Sequence, residues 1–217
     1  MQVNNLETLF KKTLAASKLT AKQQAVLQVS LNLFSEQGFD GTSTSEIAKA
    51  AGVSEGTVFK QFKTKEGILK ALLNPVLDDV IPMAAGEFLT EVNQHDLPDF
   101  QQLLEYIVAD RMTFVLENQK QIRVFAQEII RNPQILQGLQ ERAMDIIQGA
   151  AGDFLQRYKD SGQLIDWPIG QIVQYLLGTI LSYVLPQVLL GATEDFDIQK
   201  ASAEAAAFLA RGLAPEA

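Results

Sequence analysis

The twenty residues from Ser43 to Phe62, STSEIAKAAGVSEGTVFKQF, constrain this chain more than any other stretch. Ser43 stands three residues before Glu46. Its hydroxyl can accept from the free amides of a first helical turn while the Glu46 carboxylate reaches back to the Ser43 amide, a capping box. Ile47, Ala48 and Ala51 then fall on one face at helical spacing. Gly52 takes the left-handed conformation without strain and so ends the helix. Val53 plugs the corner, and Ser54 caps a second helix through Phe62. The stretch reads as two short helices joined by a tight turn.

The spacing of Ala48, Gly52 and Val58 is that of a helix-turn-helix. Such a unit needs a small residue where its helices touch, a turn glycine and an inward aliphatic residue on the second helix. That second helix enters the major groove with its N-terminal residues toward the base edges. The same spacing also suits an ordinary helical hairpin. The flanks add Val26, Leu27, Val29, Leu33, Phe34 and Phe39 upstream and Lys63-Thr64-Lys65-Glu66-Gly67-Ile68-Leu69 downstream. From Lys22 to Leu72 the sequence closely resembles the DNA-binding domain of the TetR/AcrR family of transcriptional repressors; the remaining two thirds lie outside that resemblance.

The resemblance implies an arm and helix-turn-helix domain over residues 1–66 and a helical effector-binding and dimerisation domain over 67–217. It implies a regulator, most often a repressor, that binds a palindromic double-stranded operator as a homodimer and is released by a small-molecule effector. Ser43, Thr57, Phe59 and Lys65 fall on family positions that touch DNA. Phe59 departs from the usual Tyr and loses a hydroxyl bond to phosphate worth roughly 0.5–1.5 kcal/mol. Gln61 replaces a more usual aromatic or His. Read by position, Glu55 and Gly56 sit at the tip of the second helix, with Thr57 and Lys60 on its outer side, where they suit phosphates or base edges. Lys65 would put a cation and helix-end amides near a phosphate. Ile47, Ala48, Val53, Val58 and Phe62 are expected in the core.

Composition shapes the expectation. The 217 residues are 47% hydrophobic and 20% charged, which fits a globular chain with its own core. The net charge of −8 looks wrong for a DNA binder, but residues 1–73 hold nine Lys against six acids, and the acidic excess lies beyond. A mildly basic head on an acidic body suits contact with DNA through one end. The chain contains no Cys, which excludes disulfides and fits a reducing, cytoplasmic compartment. MQVNNLETLF lacks a basic segment followed by an apolar run, so no signal peptide is expected.

Residues 1–19 read as a short amphipathic helix or a frayed arm, with a solvated terminus as the default and a groove-tracking arm as the alternative. Thr20 and Gln23 open the first main helix, which ends near Gly38; Thr64 caps another. Pro75 interrupts an apolar helical pattern and should kink or break it, as a plain kink or as a hinge. Pro82 and Gly86 punctuate the next stretch, and Asn93-Gln94-His95-Asp96 reads as a loop. Further helices run about 98–118, 120–131, 133–160, 168–190 and 197–212, giving an all-α protein of about nine helices.

Trp167 to Thr193 contains no charge, and Ile172 to Leu190 is long enough to span a bilayer. Its flanks are acidic, however, and Gln171, Gln174, Pro186 and Gln187 interrupt it, so a helix buried on several sides is the better reading. The family pairs its last two helices with their twins as a four-helix dimer interface. By resemblance those are 168–190 and 197–212, with no membrane partner.

Catalysis is hard to build from this inventory. His95 is the only His, so neither a two-His metal site nor a cofactor is expected, and no phosphate-cradling loop or nucleophile motif is present. Asp78-Asp79 and Asp195-Phe196-Asp197 read as solvated surface. A helical adaptor with a protein partner is the alternative class. The candidates for lining an effector pocket are Phe88, Tyr106, Met112, Phe114, Phe125, Met144, Tyr175 and Tyr183, which also suit plain core packing. The mix favours an apolar or aromatic effector, while Arg111, Arg123 and Arg131 would suit an anionic one.

Overall fold

The computed structural model describes residues 5–95, 97–131, 137–138, 141–142, 145–146, 149–191 and 196–215. Among them every regular element is helical. The chain forms two compact units. One comprises Asn4–Ala84 with Lys120–Gly138; the other contains Ala85–Gln119 with Leu139–Ala217.

The first unit begins with α1 (Leu6–Ala16), capped by the Asn5 side chain, which accepts from the Glu7 amide at 2.8 Å. Leu9 and Phe10 are each only 1% exposed. This segment is a packed helix rather than the expected solvated terminus, because its apolar stripe meets partners far along the chain. In α2 (Ala21–Gly41) the Thr20–Gln23 capping box forms, and Val26, Leu27, Leu31 and Phe34 turn inward. Helical geometry stops at Gly38 (φ 78°, ψ 163°), with one more turn beyond it. Two short helices follow, α3 (Thr44–Ala50) and α4 (Glu55–Phe62). Next comes α5 (Lys65–Pro75), which buries Ile68, Leu69, Leu72 and Leu73.

Pro75 does not break the helical path. Its backbone stays helical at φ −59°, ψ −33°, and a π turn, Val76–Val80, follows, with the Ile81 amide donating to the Val76 carbonyl. A second helix, α6 (Ile81–Gln94), continues directly and contains Pro82, Gly86, Asn93 and Gln94. Those residues therefore neither punctuate the stretch nor form a loop; Asp96 lies outside the described residues. Between two prolines that have no amide to donate, the ladder widens by one residue and carries on, as π turns allow. Val76, Leu77 and Val80 are buried in the π turn. The unit's later segment, within α8 (Gln119–Arg131), buries Val124 and Phe125.

The second unit is organised on α7 (Phe100–Glu117), capped by Asp99. It packs against α10 (Ile169–Leu190) and α11 (Ile198–Gly212). Leu103, Leu104, Val108 and Met112 of α7 join Ile172, Leu176, Ile180 and Val184 of α10. Ala201, Ala205 and Ala206 of α11 complete that core, their small side chains letting helices approach closely. The expected single helix over 133–160 is interrupted: Gly149 is non-helical (φ −94°, ψ −128°), and α9 (Ala150–Asp160) starts after it.

Candidate nucleic-acid interface

The capping box at Ser43 is complete. The Ser43 amide donates to Glu46 Oε2 at 2.8 Å, and the Ser43 hydroxyl accepts from the Glu46 amide at 3.2 Å. The Ser43 hydroxyl also donates to Glu46 Oε2 at 2.8 Å, so the carboxylate accepts from both the amide and the hydroxyl of Ser43 and ionises below the ordinary range, the backbone bond contributing most. Gly52 takes φ 67°, and the Val53 amide closes the turn on the Ala48 carbonyl at 3.0 Å. Ile47, Ala48 and Val58 are buried as expected; Val53 and Phe62 are half-buried.

That packing leaves the opposite side of α4 open. Glu55, Gly56, Phe59 and Lys60 are exposed, and the Phe59 side chain is the large apolar one among them, at 52%. Thr57 is half-buried, its hydroxyl 2.9 Å from that of Ser54. Thr44 donates to Glu55 Oε1 at 3.0 Å, so α3 orients the first carboxylate of α4.

Lys65 lies at the start of α5, half-buried. Its ammonium donates to the carbonyls of Phe39 (2.7 Å) and Thr42 (2.9 Å) and sits 4.4 Å from the Phe39 ring centroid. It thereby ties the end of α2 to the start of α5, with one ammonium hydrogen left over. Glu66 beside it ionises below the ordinary range, chiefly through its own amide and secondly through Thr64.

Two residues that shape this surface gave no sequence signal. Lys63 holds φ 65°, ψ −47°, and the Thr64 amide donates to the Phe62 carbonyl at 2.8 Å, a tight γ-turn. Gly67 has no room for a side chain: a Cβ there would lie 2.0 Å from the Phe62 carbonyl oxygen. Only the sharpness of the turn between Phe62 and Thr64, with no Gly, Asn or Pro in it, could have hinted at either.

Of the eight proposed effector-lining residues, those that the structure describes lie in several surroundings. Arg111 stacks on Phe88 (3.9 Å to the centroid) and lies 4.9 Å from that of Phe114, while forming an ion pair with buried Asp110. Phe88 and Phe114 thus share the Arg111 guanidinium. The Tyr106 ring lies tilted against that of His95, centroids 4.7 Å apart, and its hydroxyl is pushed up by burial first and then by Asp110 and Glu91. Met112 is core, Tyr183 packs against that core, and Tyr175 is exposed beside Trp167. Phe125 is buried in the first unit, and Met144 lies outside the described residues. The side chain of Arg131 also lies outside them. A cavity of about 290 Å³ in the second unit is lined by Asn93, His95, Leu97, Phe154, Arg157 and Tyr158, none of the eight.

Residues 26–72 match the family profile of bacterial regulatory proteins, tetR family. YvdT, an uncharacterised HTH-type transcriptional regulator of Bacillus subtilis, is 28% identical over 105 residues, covering 48% of this chain and 50% of its own. The chain spans half or less of the length of the curated relatives it matches. A crystal structure from Mesorhizobium loti, described as a TetR-family regulator, superposes with a TM-score of 0.70 at 17% identity, over 89% of this chain and 96% of that one. FadR of Bacillus subtilis in complex with stearoyl-CoA superposes with a TM-score of 0.59 at 21% identity, over 87% of this chain and 98% of that one. At these identities the structural likeness is one of fold.

Proposed function

We propose, from the premise that the chain belongs to the TetR/AcrR family of transcriptional regulators, that it represses by binding a palindromic operator as a homodimer and lets go when a small molecule occupies its helical body. The observation that carries the DNA half is the open outer face of α4, with Glu55, Gly56, Phe59 and Lys60 exposed above an inward Val58. Lys60 is free to meet a phosphate or a guanine. Lys65 and Ser43 act mainly by fixing the geometry of the motif, since their polar groups are already engaged within it.

The dimer rests on α10. Its Ile172, Leu176, Ile180, Val184 and Val188 are buried, yet Leu177, Leu181, Leu185 and Leu189 stay 42–47% exposed in a row, with Phe208 of α11 also exposed. Although α10 is long and apolar enough to cross a bilayer, one of its sides already belongs to a protein core. Pairing of the leucine row with a second copy removes the other from water. In such a dimer two recognition helices read major grooves about 34 Å apart. A regulator of this kind does its work at the chromosome, in the cytoplasm.

For the effector, the relative crystallised with stearoyl-CoA supports a ligand with a long apolar part. Phe88, Tyr106 and Phe114 offer apolar faces, and the partly exposed Arg111 suits an anionic end.

The test is selection of duplexes from a random library by the full chain, followed by affinity measurements at several salt concentrations. Enrichment of a palindrome with strongly salt-dependent binding is expected; no enrichment and no salt dependence refutes the reading. A solution mass of 23.9 kDa, the monomer value, at micromolar concentration refutes the dimer.

A further inference from the structure

The outer face of α4 presents few groups. Ser54 and Thr57 satisfy each other: the Ser54 hydroxyl accepts from the Thr57 amide at 3.2 Å and lies 2.9 Å from the Thr57 hydroxyl. Gly56 has no side chain, and Val58 points inward. Glu55, Phe59, Lys60 and Gln61 remain exposed, the last two in the final turn of the helix, farther from the N-terminal end that faces base edges. Glu55 and Phe59 are four residues apart, hence stacked on one side of the helix. About 6 Å of axial rise separates them, roughly two steps of a duplex that advances 3.4 Å per base pair.

Glu55 is oriented, because Oε1 accepts from Thr44 Oγ1 at 3.0 Å while the residue stays exposed. A carboxylate facing a polyanion is unfavourable unless it accepts a hydrogen bond there. In the major groove the donors are the amino groups of cytosine and adenine. Adenine places the acceptor N7 beside its amino group and repels a carboxylate, which leaves cytosine N4 as the match. Phe59 carries no polar atom, and the apolar group offered by base edges is the thymine methyl.

We propose that Glu55 and Phe59 are the specificity-determining pair of α4: Glu55 accepts from a cytosine N4 amino group, and Phe59 covers a thymine C5 methyl within two base pairs of it. The assignment rests on the DNA-binding reading above and extends it to named bases.

Wild type, E55Q, F59A and F59Y are each put through the duplex selection as full-length protein. Wild-type sites hold a cytosine and a thymine within two base pairs in each half-site. Replacing that thymine with deoxyuridine removes only the methyl group. It weakens wild type and F59Y by about fivefold or more and leaves F59A unaffected. E55Q loses the cytosine preference and binds random duplex more tightly, because a negative charge facing the phosphates has gone. Equal weakening of wild type and F59A by deoxyuridine overturns the assignment, as does an unchanged cytosine in the sites chosen by E55Q. Absence of salt-dependent binding by wild type to any duplex is a separate result: it overturns the DNA-binding reading, and the assignment with it.

Discussion

Adding one methyl group at Gly67 should have the opposite effect from adding it at Gly86. Both glycines lie in helices, and Ala is preferred over Gly in a helix interior by roughly 1 kcal/mol. At Gly86 in α6, a Cβ would meet nothing within 4 Å. Gly86→Ala should therefore stabilise by about 0.5–1 kcal/mol. At Gly67 the new carbon would lie 2.0 Å from the Phe62 carbonyl oxygen and 3.1 Å from its carbon. The oxygen must retreat by about an ångström to reach even a crowded contact. It belongs to backbone held by the Lys63 γ-turn and the end of α4, so it cannot swing aside as a side-chain tip would. Overpacking of this kind costs about 1–3 kcal/mol. Set against the gain of roughly 1 kcal/mol in helix propensity, Gly67→Ala should gain nothing and destabilise by up to about 2 kcal/mol. The displaced carbonyl belongs to the last residue of α4 and accepts the turn bond from Thr64, so operator affinity should fall as well. Urea unfolding followed by circular dichroism on both variants decides the matter. If Gly67→Ala matches Gly86→Ala in stability, the steric reasoning is wrong.

Other outcomes follow from the same geometry. Lys63→Gly should stabilise by about 1 kcal/mol in the same unfolding assay, because a non-glycine residue held at φ 65° is relieved; a loss of stability would contradict that. Ser43→Ala removes the capping box and should cost about 1 kcal/mol, which a wild-type midpoint would disprove. Glu46 and Glu66 both ionise below the ordinary carboxylate value of 4.5. Their contribution to stability is present above the unfolded value and is lost as pH falls through the lower folded values. NMR titration showing either group at or above the ordinary value removes the argument. Leu181→Glu should turn a dimer into a 23.9 kDa species on size exclusion; a persisting dimer moves the interface elsewhere.

What could be read from the residues alone were features whose causes lie within a few positions. Thr20 with Gln23, Ser43 with Glu46, Ser54 and Thr64 each announce a helix start by local hydrogen bonding, and all four form as caps. Gly52 was legible for the same reason, since its conformation is set by its own backbone. What misled were residues whose meaning depends on distant partners. Pro75 and Pro82 look like terminators, yet packing of Val76, Leu77 and Val80 holds the chain helical through a π turn. The α1 stripe looks like a loose end until Leu9 and Phe10 find their core. The roles of Lys63 and Gly67 are steric, one a tolerated strain and the other a missing atom, and neither leaves a pattern in a string of letters.

The leucine row on α10 has a geometric consequence for the proposed pairing. Leu177, Leu181, Leu185 and Leu189 recur every four residues, so they trace an oblique ridge instead of a seam parallel to the axis. Beside it runs a second exposed line, Gln174, Gly178, Ser182 and Pro186, low at its centre. Ridges of that pitch seat in such a furrow when the two rods lie aslant, at about −50°, rather than side by side. The twin helices would then meet as an X, touching most closely around Gly178 to Leu185, where one bulky intruder would pry the whole assembly apart.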